Sequence, residues 1–341
     1  MSTEPIISAA PLAFPWQTRD PFLVCVHHVD NYPRGNDKLG PAASLEGRNL
    51  GQDFAGKDGW RMYHGDHVPG FPQHPHRGFE TVTFVREGYI DHSDSLGATA
   101  RFGRGDVQWL TAGAGIVHSE MFPLLDSERP NRLELFQIWV NLPAKSKFAR
   151  PYFTMFWDKD VPRHRVTDAA GKRVEVTVIA GELARAQAPA PPPDSWAANG
   201  DADVAIWSIV LEAGATWTVP PARDAGVART LYFFSGAKLE VAGRIVAQPL
   251  AIELAADQPV PLAAVDGPVE VLVLQGRPIA EPVAQYGPFV MNTRAELEQA
   301  FADYRRTQFG GWPFRENEPV HPRPQGRFAK HADGRVENAP A

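Results

Sequence analysis

Cysteine is nearly missing from this chain: Cys25 is the only one among 341 residues. No disulfide can close within the chain and no Cys-x-x-Cys pair exists, which fits a reducing cytoplasm. Cys25 stands in the apolar run Phe22-Leu23-Val24-Cys25-Val26 and reads as a buried strand residue, not a nucleophile. Long hydrophobic runs are missing too. No stretch of about 18 apolar residues occurs, so no helical membrane span is expected. Met1 to Trp16 has neither a basic start nor a long apolar segment, and does not read as a secretion signal. Excess positive charge is absent: the formal net charge is −6. Direct binding to nucleic acid through phosphate neutralisation is therefore disfavoured. The tail beyond Tyr304 carries Arg305, Arg306, Arg315, Arg323, Arg327 and Lys330, but acidic residues interleave, and it reads as a solvated surface. Neither a Gly-x-x-x-x-Gly-Lys-Ser/Thr phosphate loop nor a Gly-x-Ser-x-Gly nucleophile elbow is present. One further absence is local. No histidine lies between His164 and His321, so any imidazole-based site belongs to the first half.

What is abundant is punctuation. The chain has 32 prolines and 29 glycines, and short apolar segments lie between them. These are Thr81 to Val85, Val107 to Leu110, Leu135 to Val140, Val174 to Ile179, Ala205 to Leu211, Leu231 to Phe234, Leu250 to Leu254 and Val269 to Leu274. Several alternate, as in Val174-Glu175-Val176-Thr177-Val178. Short alternating segments between turns imply an all-β fold, a sandwich or barrel. The pattern Thr83-Phe84-Val85-Arg86-Glu87-Gly88 resembles Leu231-Tyr232-Phe233-Phe234-Ser235-Gly236, which hints at two similar barrels in tandem. A boundary falls near Asp158 to Thr167, and Pro189 to Pro193 marks a loop inside the second half. One helix is expected near the C-terminus. Thr293 and Glu296 form a capping box, Leu297, Ala300, Phe301 and Tyr304 follow at helical spacing, and Gly310-Gly311 stops the run. The expected division is 1–160, 161–292, and 293–341 for the helix and tail.

Six of the eleven histidines fall between residues 64 and 118. In Gln73-His74-Pro75-His76-Arg77-Gly78-Phe79-Glu80, His74 and His76 are two residues apart, so on an extended chain both rings face one side. Pro75 is tolerated at a strand start or edge, which puts the pair at the start of the strand running into Thr81 to Val85. In Gly113-Ala114-Gly115-Ile116-Val117-His118-Ser119-Glu120 the same spacing joins His118 to Glu120. Two such pairs on facing strands would bring three imidazoles and a carboxylate together, a donor set suited to iron, manganese, nickel or zinc. His92 reads as part of a polar turn, and His64 and His67 as a loop near the entrance. Phe79, Trp109 and Met121 are candidate apolar walls.

The segments Gly70 to Val82, Gly105 to Met121, Leu135 to Pro143 and Glu281 to Thr293 resemble the pirin family of bicupins. The resemblance implies two tandem cupin β-barrels, with a metal in the first only, and a short C-terminal helix. By resemblance Fe(II) is held at the positions of His74, His76, His118 and Glu120; manganese, nickel, zinc or copper are other candidates. The wider cupin pattern would use Glu80 instead. In the pirin pattern Glu80 drops out as a ligand and is expected to hold a ligand's ring N–H from behind. The family implies a quercetin 2,3-dioxygenase-like activity on a flavonol, with release of carbon monoxide; Glu120, the carboxylate nearest the chemistry, is the expected base if it loosens from the metal. It equally implies an alternative role, a non-enzymatic, redox-responsive iron protein acting through protein partners. A monomer in the cytoplasm is expected.

Overall fold

The computed structural model describes residues 4–340. All eight apolar segments lie inside strands: Phe79–Glu87, Val107–Thr111, Asn131–Asn141, Arg173–Ala180, Ala205–Leu211, Ala228–Ser235, Leu250–Ala255 and Val269–Gly276. Alternation decides which side chains go inward. Val174, Val176 and Val178 join the apolar core of their unit, while Glu175 between them is only half-buried. Period-two geometry gives this result wherever one face of a strand is buried.

Two compact units divide the chain, and neither is contiguous. One comprises Met1–Val26, Ile138–Asn141 and Lys159–Ala280; the other comprises His27–Gln137, Leu142–Asp158 and Glu281–Ala341. This differs from a simple order of 1–160, 161–292 and 293–341, and strand pairing is the reason. Ile6–Pro11 pairs with Leu250–Ala255, and Phe328–Lys330 pairs with Thr99–Gly103. Each end of the chain thus completes a sheet far away in sequence.

The unit holding residues 159–280 has a seven-stranded and a four-stranded antiparallel sheet. The unit holding residues 27–137 has two large sheets and the small hairpin Ala284–Tyr286/Phe289–Met291. One runs in the order Tyr152–Phe156, Val107–Thr111, Phe79–Glu87, Asn131–Asn141, Phe22–Tyr32; the other runs Val336–Asn338, Phe328–Lys330, Thr99–Gly103, Tyr89–Asp94, Ile116–Met121, Gly70–His76. Leu110, Leu133, Leu135, Ile90, Phe102 and Phe153 fill the space they share.

The helix spans Arg294–Thr307, with the Thr293–Glu296 capping box formed as expected. It ends earlier than Gly310: Gln308 takes a left-handed conformation and caps it. Leu297 and Ala300 pack on Phe289 and Met291. Arg77 ties this helix to the barrel, with its Nη1 2.9 Å from Asp303 and its guanidinium over the Phe309 ring.

The tail beyond residue 310 is solvated only in part; several of its residues are tied to the barrel. Arg101, fully buried on the strand Thr99–Gly103, binds Asp91 through Nε and Nη2 at 2.7 Å each. Its terminal nitrogens also donate to the carbonyls of His321, Pro322 and Gln325. Arg323 donates to the carbonyls of Leu124, Leu125 and Asn36, and Arg327 bonds Asp106 at 2.7 Å. Two of the tail cations, Arg323 and Arg327, are thus used on barrel acceptors, while Arg305, Arg306, Arg315 and Lys330 stay exposed.

Candidate metal centre

The strand Gly70–His76 pairs antiparallel with Ile116–Met121, placing His74 directly opposite His118. Directly opposed residues point to the same side of a sheet. His74, His76 and His118 therefore share one inward face, and their ring centroids lie 4.5–4.8 Å apart. Each offers a ring nitrogen within 4.8 Å of the other two. Glu120, two residues beyond His118, brings Oε2 to 3.9 Å from His118 Nε2. Donor atoms each about 2.1 Å from one ion lie at most about 4.2 Å apart; the His118–Glu120 pair meets this limit, while the group that converges on one point comprises the three histidines.

The histidine pair ends its strand and does not start the next one. Gly78, at φ +84°, turns the chain, and the following strand begins at Phe79. A side chain at Gly78 would meet the Val290 carbonyl oxygen at 2.0 Å. Gly115 has a similar part on the other side: at φ +131°, a Cβ there would strike the Phe309 ring at 2.6 Å.

Hydrogen bonds select the tautomers. His74 Nδ1 lies 2.8 Å from the Pro72 carbonyl and His76 Nδ1 lies 3.4 Å from the Pro288 carbonyl. A carbonyl only accepts, so each Nδ1 carries the proton and each Nε2 carries the lone pair. Both ring nitrogens of His118 are buried without a hydrogen-bond partner. Burial pulls the His74 imidazole down to about 4, against the opposing pull of the Pro72 carbonyl. His76 and His118 sit well below the usual range, first through burial and then through repulsion from neighbouring histidines. All three rings are neutral at pH 7, the form that binds metals. Burial pushes the Glu120 carboxyl up, opposed by His92 and by bonds from Gln137 and Thr83. Neutral imidazoles, an orphaned His118 ring and an adjacent carboxylate fit a metal ion.

Two residues that the sequence did not single out hold the carboxylate. Gln137 Nε2 donates to Glu120 Oε2 at 2.7 Å, and Thr83 Oγ1 donates to Oε1 at 3.4 Å. Gln137 was findable as the one polar side chain inside Leu135-Phe136-Gln137-Ile138-Trp139. His92 is a third. It is no turn residue: it lies fully buried on the strand Tyr89–Asp94, opposite Glu120. Its Nε2 is 3.2 Å from Asp94 Oδ2, and its ring stacks on Phe153. The polar run looked like a turn because its alternate side chains are polar on both faces. His64 remains exposed, bonded to the Gly51 carbonyl and edge-on to Phe71, which in turn contacts His74. His67 is exposed.

The face rule also sorts the other candidates. Thr83 points toward Glu120 and Phe79 packs on His76 at 5.0 Å, so Phe79 is a wall of the site. Glu80 and Val82 then occupy the opposite face of that strand, together with their partners Thr111 and Trp109. Glu80 accepts a 2.7 Å bond from Thr111 Oγ1 there. Neither the expected support by Glu80 nor a wall role for Trp109 follows from this placement. Met121 lies on the far face of its strand and packs with Leu39 and Val68.

An all-β chain with two cupin-type domains and, among the described residues, one inward cluster of three histidines defines a bicupin with a candidate metal centre. The chain belongs to the pirin family. The Pirin profile matches residues 46–140, and the Pirin C-terminal cupin domain profile matches residues 206–310. A Pseudomonas aeruginosa protein provisionally named quercetin 2,3-dioxygenase is 38% identical over 240 residues, covering 70% of this chain and 79% of its own. A pirin-like protein of Caulobacter vibrioides is 38% identical over 244 residues, covering 72% and 82%. Among solved structures, quercetin 2,3-dioxygenase from Acinetobacter baumannii superimposes with a TM-score of 0.70 at 26% identity, over 91% of this chain and 99% of that one.

Proposed function

We propose that His74, His76, His118 and Glu120 hold Fe(II), and that the site catalyses oxygen-dependent cleavage of a small aromatic substrate of the flavonol type. The observation that carries this reading is the convergence of three neutral imidazoles, with the Glu120 carboxylate beside one of them, His118. The names of the Pseudomonas and Acinetobacter relatives point to the same chemistry. A bound ferrous ion supplies a redox-active Lewis acid, and four protein donors leave it positions for further ligands. The rest falls to the chain. Glu120 is the carboxylate that can accept the flavonol hydroxyl proton, at the Oε1 that only the long Thr83 bond engages. Gln137 keeps Oε2 in place meanwhile. Phe79 closes one side and burial excludes water. Manganese, nickel, zinc and copper suit the same donors, and metal analysis of anaerobically purified protein decides among them.

The test is aerobic turnover of quercetin by the iron-loaded protein. Activity well above free iron, abolished by His74→Ala, is expected. Turnover no faster than free iron, or full activity in the variant, refutes the enzymatic reading. A second reading, a redox-responsive iron protein acting through partners, is favoured by the near-complete burial of His118 and Glu120 (0% and 2% exposed). It predicts partner capture that differs between the ferrous and ferric protein, with no turnover.

A further inference from the structure

The unit built on Lys159–Ala280 carries none of the three clustered histidines, yet its interior holds a cation. Arg229 is 1% exposed. It lies on the strand Ala228–Ser235, on the same face as Leu231 and Phe233, which belong to that unit's apolar core. Its guanidinium therefore points inward. Nε and Nη2 both donate to one acceptor, Gln275 Oε1, with Nε at 2.8 Å. Gln275 is directly opposite Arg229 across the sheet, and its own Nε2 donates to the Asp203 carbonyl at 3.1 Å. That bond fixes the amide with its oxygen toward the arginine.

Nη1 has no hydrogen-bond partner. No carboxylate within the described residues forms an ion pair with Arg229; Asp203 attracts it only from farther away. Burial pushes the guanidinium down to about 10, so it stays cationic at neutral pH. A second orphan lies on the same inward face, two strands away. Trp207 is buried in the same core and its Nε1 also lacks a partner. Trp207 sits on the strand Ala205–Leu211, whose Ala205 is opposite Gln275. Indole N–H and guanidinium N–H can only donate. Two buried, unpartnered donors, one of them charged, call for an acceptor with negative charge.

We infer that the inward end of this second barrel is a binding site for a small monovalent anion, chloride or a simple carboxylate, held by Arg229 Nη1 with Trp207 Nε1 as the second donor. Gln275 positions the guanidinium. The site is separate from the histidine cluster and independent of the function proposed for it.

The test uses the full chain. Thermal melting with chloride and with acetate, each against a bulky organic sulfonate control of equal ionic strength, is expected to show a saturable rise of about 2 °C or more. Arg229→Met, of similar length but without donors, is expected to lose that response. Trp207→Phe, which keeps a ring and deletes the N–H, is expected to weaken it, and serves if the arginine variant fails to fold. In bromide-soaked crystals of the unaltered protein, an anomalous peak is expected within hydrogen-bond distance of Arg229 Nη1. No peak there, or anion responses equal in the unaltered protein and both variants, overturns the inference.

Discussion

Replacing Gln137 with leucine removes the hydrogen bond that holds the candidate carboxylate ligand. Gln137 Nε2 donates to Glu120 Oε2 at 2.7 Å, and Glu120 is 2% exposed. Water therefore does not replace the lost donor. A hydrogen bond to a charged acceptor contributes about 1.5–3 kcal/mol. At about 1.4 kcal/mol per tenfold, metal affinity falls by about 10- to 100-fold. That agrees with the usual cost of removing a group that orients a metal ligand.

Thr83 supplies an internal scale. Its bond to Glu120 Oε1 is 3.4 Å long, near the limit of a real hydrogen bond. Thr83→Val should weaken the metal by only about threefold or less, for a contribution near the low end of about 0.5 kcal/mol. The assay is competition against a chelator of known affinity, with melting of the metal-free proteins as a control for folding. Gln137→Leu binding within twofold of the unaltered protein, with its metal-free melting unchanged, refutes the role given to Glu120. So does a larger loss from Thr83→Val than from Gln137→Leu.

Three further outcomes follow from buried charge. Arg101→Met strands Asp91, which is fully buried, and should lower unfolding free energy by about 3–5 kcal/mol in urea; a loss under about 1 kcal/mol would contradict the clasp. Burial works to raise Glu134, but a bond from His27 and the charges of Arg86 and Arg132 outweigh it, bringing the carboxyl to about 2. A depressed carboxyl stabilises the fold above its unfolded value near 4.5 and loses that contribution as pH falls toward 2. Glu134→Gln should therefore cost stability at pH 7 and flatten the acid limb between pH 4.5 and 2; a limb of unchanged steepness would refute this. Burial pushes the Cys25 thiol up and leaves it 0% exposed, so iodoacetamide at pH 8 should label it only in denaturant, and rapid labelling of native protein would contradict the placement.

Strand positions were readable because apolar alternation is a local property, and all eight segments fall in strands. The pairing of His74 with His118 was readable because the spacing of two puts each pair on one face, and register then only had to bring the faces together. What the sequence hid was nonlocal. Glu80 is near His76 in sequence, yet faces Thr111, because the turn at Gly78 restarts the alternation on a new strand. His92 looked like a loop residue because Asp91, Ser93 and Asp94 around it are polar. Asp91 is polar for a reason on the other face of the sheet, the Arg101 bridge. The bonds that tie part of the tail down were hidden because Arg323 binds backbone carbonyls, and the carbonyls of His321, Pro322 and Gln325 receive Arg101; a carbonyl acceptor leaves no trace in composition.

That bridge bears on the site itself. Antiparallel register places His92 opposite Glu120 and Asp91 opposite Met121. One strand therefore shows His92 to the candidate centre and Asp91 to the tail. Asp91 is held by Arg101 Nε and Nη2 and by the His321 backbone N–H, at 2.7 Å each. A slip of this strand by one residue would exchange its two faces, burying Asp91 against Glu120 and turning His92 outward. Two carboxylates would then meet where one now stands beside imidazoles. The Arg101 bridge penalises that slip from the outside, since Asp91 would leave its cation behind. The tail clasp thus helps specify the register on which the inner constellation depends, without touching any of the three histidines.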